Sequence, residues 1–116
     1  MREDLGMSPG KTASQAGHAY VGAAFEAQRL LPEVLAEYHS EMPASPGTKV
    51  CLSAPNLEKL LRARDMAAEA GIPHFLVVDS GCPNFFNGEP TVTALGLGPA
   101  KKHQIKHITK RFQLVK

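Results

Sequence analysis

Apolar and polar residues follow two different spacings along this chain. Small and apolar residues recur at helical spacing between positions 13 and 27 and again between 57 and 67, whereas short apolar runs lie at 49–53, 74–78 and 91–97. The first spacing is typical of a helix with one buried face, and the second is typical of strands. Their alternation predicts an α/β fold, a three-layer sandwich in which helices cover both faces of a mixed β-sheet.

Local residues predict where these elements begin and end. Ser8 and Asn56 can cap the two longer helices, and Pro9 suits the first helical position. Gly71 and Pro73 end the second of these helices, because glycine favours the helix C-terminus and proline cannot continue it. The remaining predicted elements are a short helix at 32–41, a loop at 43–47, a basic helix at about 100–110 and an extended segment at 112–115.

The composition is that of a globular domain. A chain of 116 residues with 43% hydrophobic and 21% charged residues can bury a core without disulfide or metal support. We therefore expect one domain spanning 1–116. No apolar run approaches the roughly 20 residues of a membrane-spanning helix, and the N-terminus lacks an apolar signal segment. We expect a cytoplasmic protein with no membrane partner, in which Cys51 and Cys82 are reduced.

The end of the chain is basic, although the formal net charge is only +2. No carboxylate accompanies Lys101, Lys102, Lys106, Lys110, Arg111 and Lys116. Such a run is a candidate for contacting the phosphates of a nucleic acid, with Lys102 and Lys106 on one helix. The alternative is a solvated helix face whose cations lie near the helix C-terminus, where the helix dipole favours them.

Three motifs for phosphate, metal and dinucleotide binding are incomplete. The run 10–12 resembles the end of a phosphate-binding loop, but Leu5 occupies the position of the required first glycine. His103 and His107 share a helix face without the glutamate of a zinc protease motif, and neighbouring lysines would repel a dication. The run 96–99 lacks the third glycine of a dinucleotide site. We therefore expect neither a metal nor a cofactor.

A polar stripe lies on the first predicted helix. Lys11, Gln15 and His18 stand at i, i+4 and i+7, so their side chains point the same way. Lys11 lies in the first turn, where backbone N–H groups already favour an anion and a cation does not stabilise the helix. We therefore expect Lys11 to have a role other than stabilising the helix. The alternative for His18 is a core histidine that donates to a backbone carbonyl.

Asp79 stands at the end of the apolar run 75–78 and is followed by Ser80 and Gly81. Open α/β sheets bind ligands at the carboxyl ends of their strands. Asp79 is therefore a candidate site residue. The alternative is a turn closed by an Asx hydrogen bond from this carboxylate.

Three ordered motifs resemble those of the type-2 peptidyl-tRNA hydrolases, and together they span nearly the whole chain. An opening motif is matched by Arg2, Asp4, Leu5, Gly10, Lys11, Ala13, Gln15, His18 and Ala19, a middle motif by Val77, Val78, Asp79 and Gly81, and a late motif by Thr91, Val92, Gly96, Gly98 and Pro99.

The resemblance implies a hydrolase that cleaves the ester between a peptide and the 3′-terminal ribose of tRNA without a cofactor, and it allows a homodimer, which family members often form. It implies catalytic roles for Lys11, Asp79 and Thr91, and substrate contacts by Gln15 and His18, with tRNA as the partner. Water attack on an ester creates an oxyanion that Lys11 could stabilise, while Asp79 orients the water or accepts its proton. The residues alone leave that choice open.

Three features depart from the pattern of that family. The closing helix, which usually bears Asp and then Gly, has Lys106 and Lys110 here and is more basic. Pro83 stands where the family commonly has threonine, which removes one hydroxyl from the expected site. Met1 leaves no room for the strand that usually precedes the opening motif, so we expect a truncated N-terminal strand. The alternatives are a misassigned start site or another segment in the place of that strand. An alternative function is a non-catalytic module for RNA or protein interaction, but the presence of Lys11, Asp79 and Thr91 together favours the enzyme.

Overall fold

The computed structural model describes residues 1–40, 46–81 and 84–116. In chain order these residues form the helices α1 (Pro9–Leu30), α2 (Pro32–Ser40), α3 (Leu57–Glu69) and α4 (Lys102–Thr109), the strands β1 (Leu52–Ser53), β2 (His74–Asp79), β3 (Thr91–Leu97) and β4 (Gln113–Leu114), and a short helical turn at Phe85–Gly88. The predicted α/β class is confirmed.

Helix α1 begins where its residues predict. The Ser8 hydroxyl accepts a hydrogen bond from the Lys11 backbone N–H at 3.2 Å, and Pro9 takes the first helical position. The face of α1 that packs on β2 and β3 carries small residues. At Gly96 of β3 this packing is so close that an added Cβ would lie 2.1 Å from the Ala19 carbonyl oxygen. The backbones of α1 and β3 are therefore in direct contact.

Strands β2 and β3 form an antiparallel hairpin in which Asp79 lies opposite Thr91. Val77 pairs with Ala94 but Val78 pairs with Val92, so Thr93 is an extra residue in β3 and forms a bulge. The bulge displaces the side-chain alternation by one position. Because the two strands are antiparallel, the carboxyl end of β2 lies beside the first residues of β3.

Strands β1 and β4 form a second, two-stranded antiparallel sheet. The backbone of residues 1–3 lies between the two sheets: Arg2 donates to the Thr93 carbonyl at 3.0 Å, and Ala54, just after β1, donates to the Met1 carbonyl at 2.7 Å. Arg2 and Ala54 form a parallel bridge. The described residues thus form two small antiparallel sheets linked through the backbone of residues 1–3, where a single mixed sheet was expected. The predicted strand at 49–53 is limited to Leu52 and Ser53.

The side chains of β3 pack against two sets of apolar residues. Ala94 packs with Ala19 of α1 and with Val77. Leu95 and Leu97 pack instead against the buried cluster formed by Ala63, Ala67, Ile72 and Ile108 of the α3 and α4 region. Successive residues of a strand point to opposite faces, so this strand is covered on both sides. The three-layer arrangement of the whole chain stays a prediction.

The other elements match their predictions closely. Asn56 caps α3 by accepting from the Lys59 N–H at 2.9 Å. Glu41 and positions 43–45 of the predicted loop lie outside the described residues, as does Cys82. Cys51 is a free, half-buried thiol. No helix in the described part of the chain is long and apolar enough to cross a membrane.

Candidate active site

The Asp79 carboxylate is the centre of a polar cluster at the end of the β2–β3 hairpin. Its Oδ2 accepts from the Lys11 ammonium at 2.6 Å and from the Gln15 amide at 3.1 Å, while its Oδ1 accepts from the Gly81 N–H at 2.7 Å. The bond to Gly81 is the Asx turn predicted as the alternative. Turn and ion pair coexist because each uses a different oxygen.

The Lys11–Asp79 ion pair is largely shielded from solvent. The side chains are 14% and 11% exposed, so the pair is screened less than a surface pair would be. The hydrogen bond from the Lys11 ammonium, followed by that from the Gly81 N–H, holds the pKa of Asp79 below its ordinary value of 3.8. Asp79 is therefore ionised at neutral pH.

Gln15 lies behind Asp79 and is 2% exposed. Its amide nitrogen donates to Asp79, and its amide oxygen accepts from the hydroxyl of the fully buried Thr93 at 2.5 Å. The Thr93 carbonyl in turn accepts from the Arg2 backbone N–H. These bonds leave Gln15 one amide orientation, in which its N–H points at the carboxylate.

Thr91 is the cross-strand neighbour of Asp79. Side chains of directly paired residues point to the same face, with Cβ atoms about 5 Å apart. The Thr91 hydroxyl donates to the Glu89 carbonyl at 2.9 Å. Its oxygen lone pairs remain available to accept a hydrogen bond from a ligand beside Asp79.

The segment between β2 and β3 brings an aromatic side chain to the site. The Lys11 ammonium lies over the Phe85 ring, 3.8 Å from its centroid, and 5.9 Å from that of Phe86. Phe86 and Asn87 have φ of 53° and 56°, in the left-handed region that non-glycine residues rarely adopt. Such backbone is retained only where surrounding contacts hold it, and it is frequent at binding sites.

The structure brings Lys11, Gln15, Asp79 and Thr91 together but places the other candidate residues elsewhere. His18 is exposed on α1, so the core position considered for it is wrong. Lys102 and Lys106 are exposed on α4. This helix follows Leu97, the last residue of β3, whereas Thr91 is the first, so the two ends of the strand are about 20 Å apart. Pro83, where a threonine was expected, lies outside the described residues.

Sequence reasoning missed Thr93, Phe85 and the role of Arg2. The Arg2 guanidinium donates to both carboxylate oxygens of Asp4 and to the Val92 carbonyl, which ties the N-terminal segment to β3. A signal was present for Arg2 and Asp4, since both belong to the opening motif. Thr93 gives no local signal, because its partner Gln15 is 78 positions away.

Comparison with known proteins identifies the class to which this fold and site belong. The chain matches the family described as Peptidyl-tRNA hydrolase PTH2 over residues 1–115. A peptidyl-tRNA hydrolase of Methanopyrus kandleri is 34% identical over 116 residues, which cover all of this chain and 94% of the relative. One of Methanocaldococcus jannaschii is also 34% identical, over 99% of this chain and 95% of the relative.

A eukaryotic relative shows the same similarity within a longer protein. The probable peptidyl-tRNA hydrolase 2 of Dictyostelium discoideum is 36% identical over 98% of this chain, but the match covers only 51% of that relative. The chain thus spans about half of this relative and nearly all of the archaeal ones. It belongs to the peptidyl-tRNA hydrolase family PTH2, whose members are hydrolases that act on the ester bond of peptidyl-tRNA.

Proposed function

We propose that this chain hydrolyses the ester between a peptide and the 3′ ribose of tRNA, using Lys11, Asp79 and Thr91. The observation that carries the proposal is the shielded ion pair, with 2.6 Å between Lys11 Nζ and Asp79 Oδ2, beside the Thr91 hydroxyl. A structural ion pair would not need a third polar group or an accessible aromatic ring beside it. Membership of the family supports the same reaction.

Asp79 orients the attacking water. A carboxylate offers about four acceptor positions, and within the described part of the chain Asp79 uses three of them. The fourth can accept from a water molecule. A carboxylate with a lowered pKa is a weak base, so the direction of the shift favours orientation of the water over removal of its proton.

Lys11 stabilises the negative charge that forms on the carbonyl oxygen. Its ammonium has three donors, of which Asp79 takes one. The water oxygen bonds to the carbonyl carbon, the bond from that carbon to the ribose oxygen breaks, and the ribose oxygen takes a proton to become the 3′ hydroxyl. The peptide leaves as a carboxylate and one proton passes to solvent. The Lys11 charge stabilises this oxyanion more strongly than it would in water, because the site is partly shielded from solvent.

Gln15 and Thr93 position Asp79. Both are buried too deeply to touch a tRNA, so we assign Gln15 to orientation of the carboxylate in place of the substrate contact expected for it. Thr91 is accessible enough to contact the ester or the water. His18, one turn beyond Gln15, faces solvent where a bound substrate could extend along α1.

tRNA is the proposed partner, and the cytoplasm, where translation takes place, is the proposed location. The exposed Lys102 and Lys106 supply positive charge for its phosphates. No metal or cofactor has a part in the proposed reaction.

A homodimer is supported by apolar side chains on α1. Val21 and Phe25 are one helical turn apart and are 54% and 72% exposed, which favours burial against another surface. Sedimentation velocity tests this, with a dimer expected for the wild type and dissociation for Phe25→Glu. A wild-type monomer at micromolar concentration contradicts it.

The function is tested by release of N-acetylaminoacyl groups from tRNA. Wild-type protein should release them, and Lys11→Met should be at least about 10²-fold slower at saturating substrate, because a charge donor to the oxyanion is removed. Lys49→Met, which removes an exposed lysine before β1, is the matched control and should keep the wild-type turnover. Binding of tRNA without hydrolysis by the wild type would instead indicate a non-catalytic RNA-binding module.

A further inference from the structure

Phe85 occupies an unusual position for a large apolar side chain. It is 45% exposed, although the adjoining Lys11 and Asp79 side chains are only 14% and 11% exposed. The Lys11 ammonium covers one face of its ring at 3.8 Å from the centroid. The other face is therefore the accessible one, at the edge of the proposed active site.

The backbone around Phe85 holds the ring in this place. Phe86 and Asn87 adopt positive φ, and the segment closes against Gly81, where an added Cβ would lie 2.7 Å from the Glu89 carbonyl oxygen. The Phe86 ring lies 6.4 Å from that of Phe85, tilted by 48°. The backbone that carries the two neighbouring rings is held by these contacts, so their surface is preorganised. The segment therefore loses little conformational entropy when a ligand binds.

We propose that the accessible face of Phe85 is a stacking subsite for the unpaired 3′-terminal base of the tRNA substrate. Stacking of an unpaired base on an aromatic side chain is a common mode of single-strand recognition. The inference rests on the proposed function, since it assigns the base next to the ester that Lys11 and Asp79 act on.

The geometry suits a base better than it suits a peptide side chain. A ring stacked on Phe85 at about 3.5 Å lies on the side of the phenyl group opposite Lys11. The base and the reacting carbonyl would then lie on opposite sides of the phenyl ring, joined past its edge by the ribose that separates base and carbonyl in every nucleoside ester. Every substrate of the enzyme has a terminal base, whereas its peptide side chains vary, and a flat aromatic face recognises a base in any peptide context.

The test compares two substrates that differ only in the base. One is an N-acetylaminoacyl-tRNA with its normal 3′-terminal nucleotide, and the other carries hydrogen in place of that base on the terminal ribose. For wild-type protein, removal of the base should lower kcat/KM by about 5- to 100-fold, mainly through KM. For Phe85→Leu the two substrates should differ by less than about twofold, and Phe85→Trp should restore the wild-type difference.

Two comparisons separate stacking from other effects of Phe85. Removal of the ring beneath the Lys11 ammonium slows both substrates equally, so only the ratio between them measures stacking. Val50→Ala removes an exposed apolar side chain outside α1 and the β2–β3 hairpin, and it should keep the wild-type ratio. A wild-type ratio in folded Phe85→Leu, or no effect of base removal in the wild type, overturns the proposal.

A binding experiment keeps the subsite testable if the wild type hydrolyses neither substrate, in which case the proposed function fails. The probe is then the trinucleotide CCA, titrated into protein with labelled phenylalanines and followed by NMR. Ring-current shifts of the Phe85 signals with CCA, and their absence with a trinucleotide that lacks the terminal base, support the subsite. Equal shifts with both probes, or none with either, contradict it.

Discussion

At the scale of single residues, Asp79 owes its properties to three donors that come from different parts of the chain. Lys11 and Gln15 come from α1, and Gly81 follows β2. Each donor favours the ionised carboxylate over the protonated one. The lowered pKa of Asp79 is therefore largely a consequence of how α1 docks on the hairpin, and residues that hold α1 also control the site.

The pKa of Asp79 should rise when Lys11 is replaced. Lys11→Met removes the largest cause of the lowered pKa and leaves the bond from Gly81, so the Asp79 pKa should move up toward 3.8 without exceeding it. A titration of the Asp79 carboxyl carbon by NMR measures this shift. Gln15→Met should have a smaller effect. An unchanged pKa in Lys11→Met would mean that the ion pair is absent in solution.

The same shift has a consequence for stability. The pKa of folded Asp79 is depressed, so its contribution to stability is fully present above the unfolded-chain pKa of about 3.9 and is lost as the pH falls through the lower folded pKa. Unfolding free energies in urea between pH 5 and 2 should fall more steeply for the wild type than for Asp79→Asn. Parallel curves would contradict the lowered pKa.

Thr93 should matter to stability and to turnover together. Thr93→Val keeps the shape of the side chain but leaves the buried Gln15 oxygen without its donor, which should cost about 1–3 kcal/mol of unfolding free energy. Turnover should also fall, because Gln15 loses its fixed orientation toward Asp79. Urea unfolding and single-turnover hydrolysis measure the two effects. Thr93→Ser should keep turnover, and the exposed Thr48→Val is the neutral control. A fully active Thr93→Val would show that Gln15 does not need this bond.

At the scale of the elements, the docking of α1 on β3 determines the distance between Lys11 and Asp79. Gly96→Ala places a methyl group against the Ala19 carbonyl, and backbone cannot rotate away as a side chain can. We expect a loss of at least about 2 kcal/mol in urea unfolding and slower hydrolysis, because α1 must move and takes Lys11 with it. Near-normal stability and turnover would contradict this close approach of the two backbones.

Gly17→Ala is the matched control for this change. Gly17 is an exposed residue within α1, and an added Cβ would meet nothing within 4 Å. The substitution should stabilise the protein by about 0.5–1 kcal/mol, because alanine loses less conformational freedom than glycine in a helix. A destabilised Gly17→Ala would mean that α1 has a partner on that side.

Helix starts could be predicted from the sequence and strand pairing could not. Ser8 and Asn56 act on N–H groups three residues away, so the signal is local. The extent of β1 depends on its partner β4, which pairs with only Leu52 and Ser53. The bulge at Thr93 depends on the register of two strands, and hydrophobic pattern does not reveal such an insertion. The joined antiparallel sheets were missed for the same reason.

The residues of the candidate site also fall into two groups, those that could be predicted from the sequence and those that could not. Lys11 and Asp79 could be proposed because each breaks a local pattern, a cation in the first turn of a helix and a carboxylate after an apolar strand. Phe85 could not, because a phenylalanine in a polar loop usually packs on the surface. Only the fold shows that its ring lies over Lys11.

At the scale of the whole molecule, several cations lie on a surface that is separate from the residues of the ion pair. Lys59, Arg62 and Arg111 line a cleft between α3 and the residues after α4, and none of them has an ion-pair partner among the described residues. In the proposed function, a tRNA whose 3′ end is at Asp79 is large enough to reach this surface. Long-range attraction of the RNA body and chemistry at its end would then be separate tasks of one chain.

Salt dependence tests the binding of tRNA phosphates assigned to α4. The double variant Lys102→Ala/Lys106→Ala should raise KM more than it lowers kcat. It should also flatten the log–log dependence of binding on salt by roughly one unit for each phosphate that is no longer bound. Lys101→Ala is the matched control, since the Lys101 ammonium already pairs with Glu37 at 2.9 Å, and its effect should be smaller. An unchanged slope in the double variant would mean that these lysines are only solvated.

The central claim is that Asp79 takes part in ester hydrolysis, and single-turnover release of the N-acetylaminoacyl group from tRNA by Asp79→Asn tests it most directly. The amide keeps the size of the side chain but removes the charge that orients the water, so the rate should fall by about 10² or more. Asp65→Asn, at a carboxylate 69% exposed on α3, should keep the wild-type rate. Near-normal release by a folded Asp79→Asn protein would remove Asp79 from the reaction.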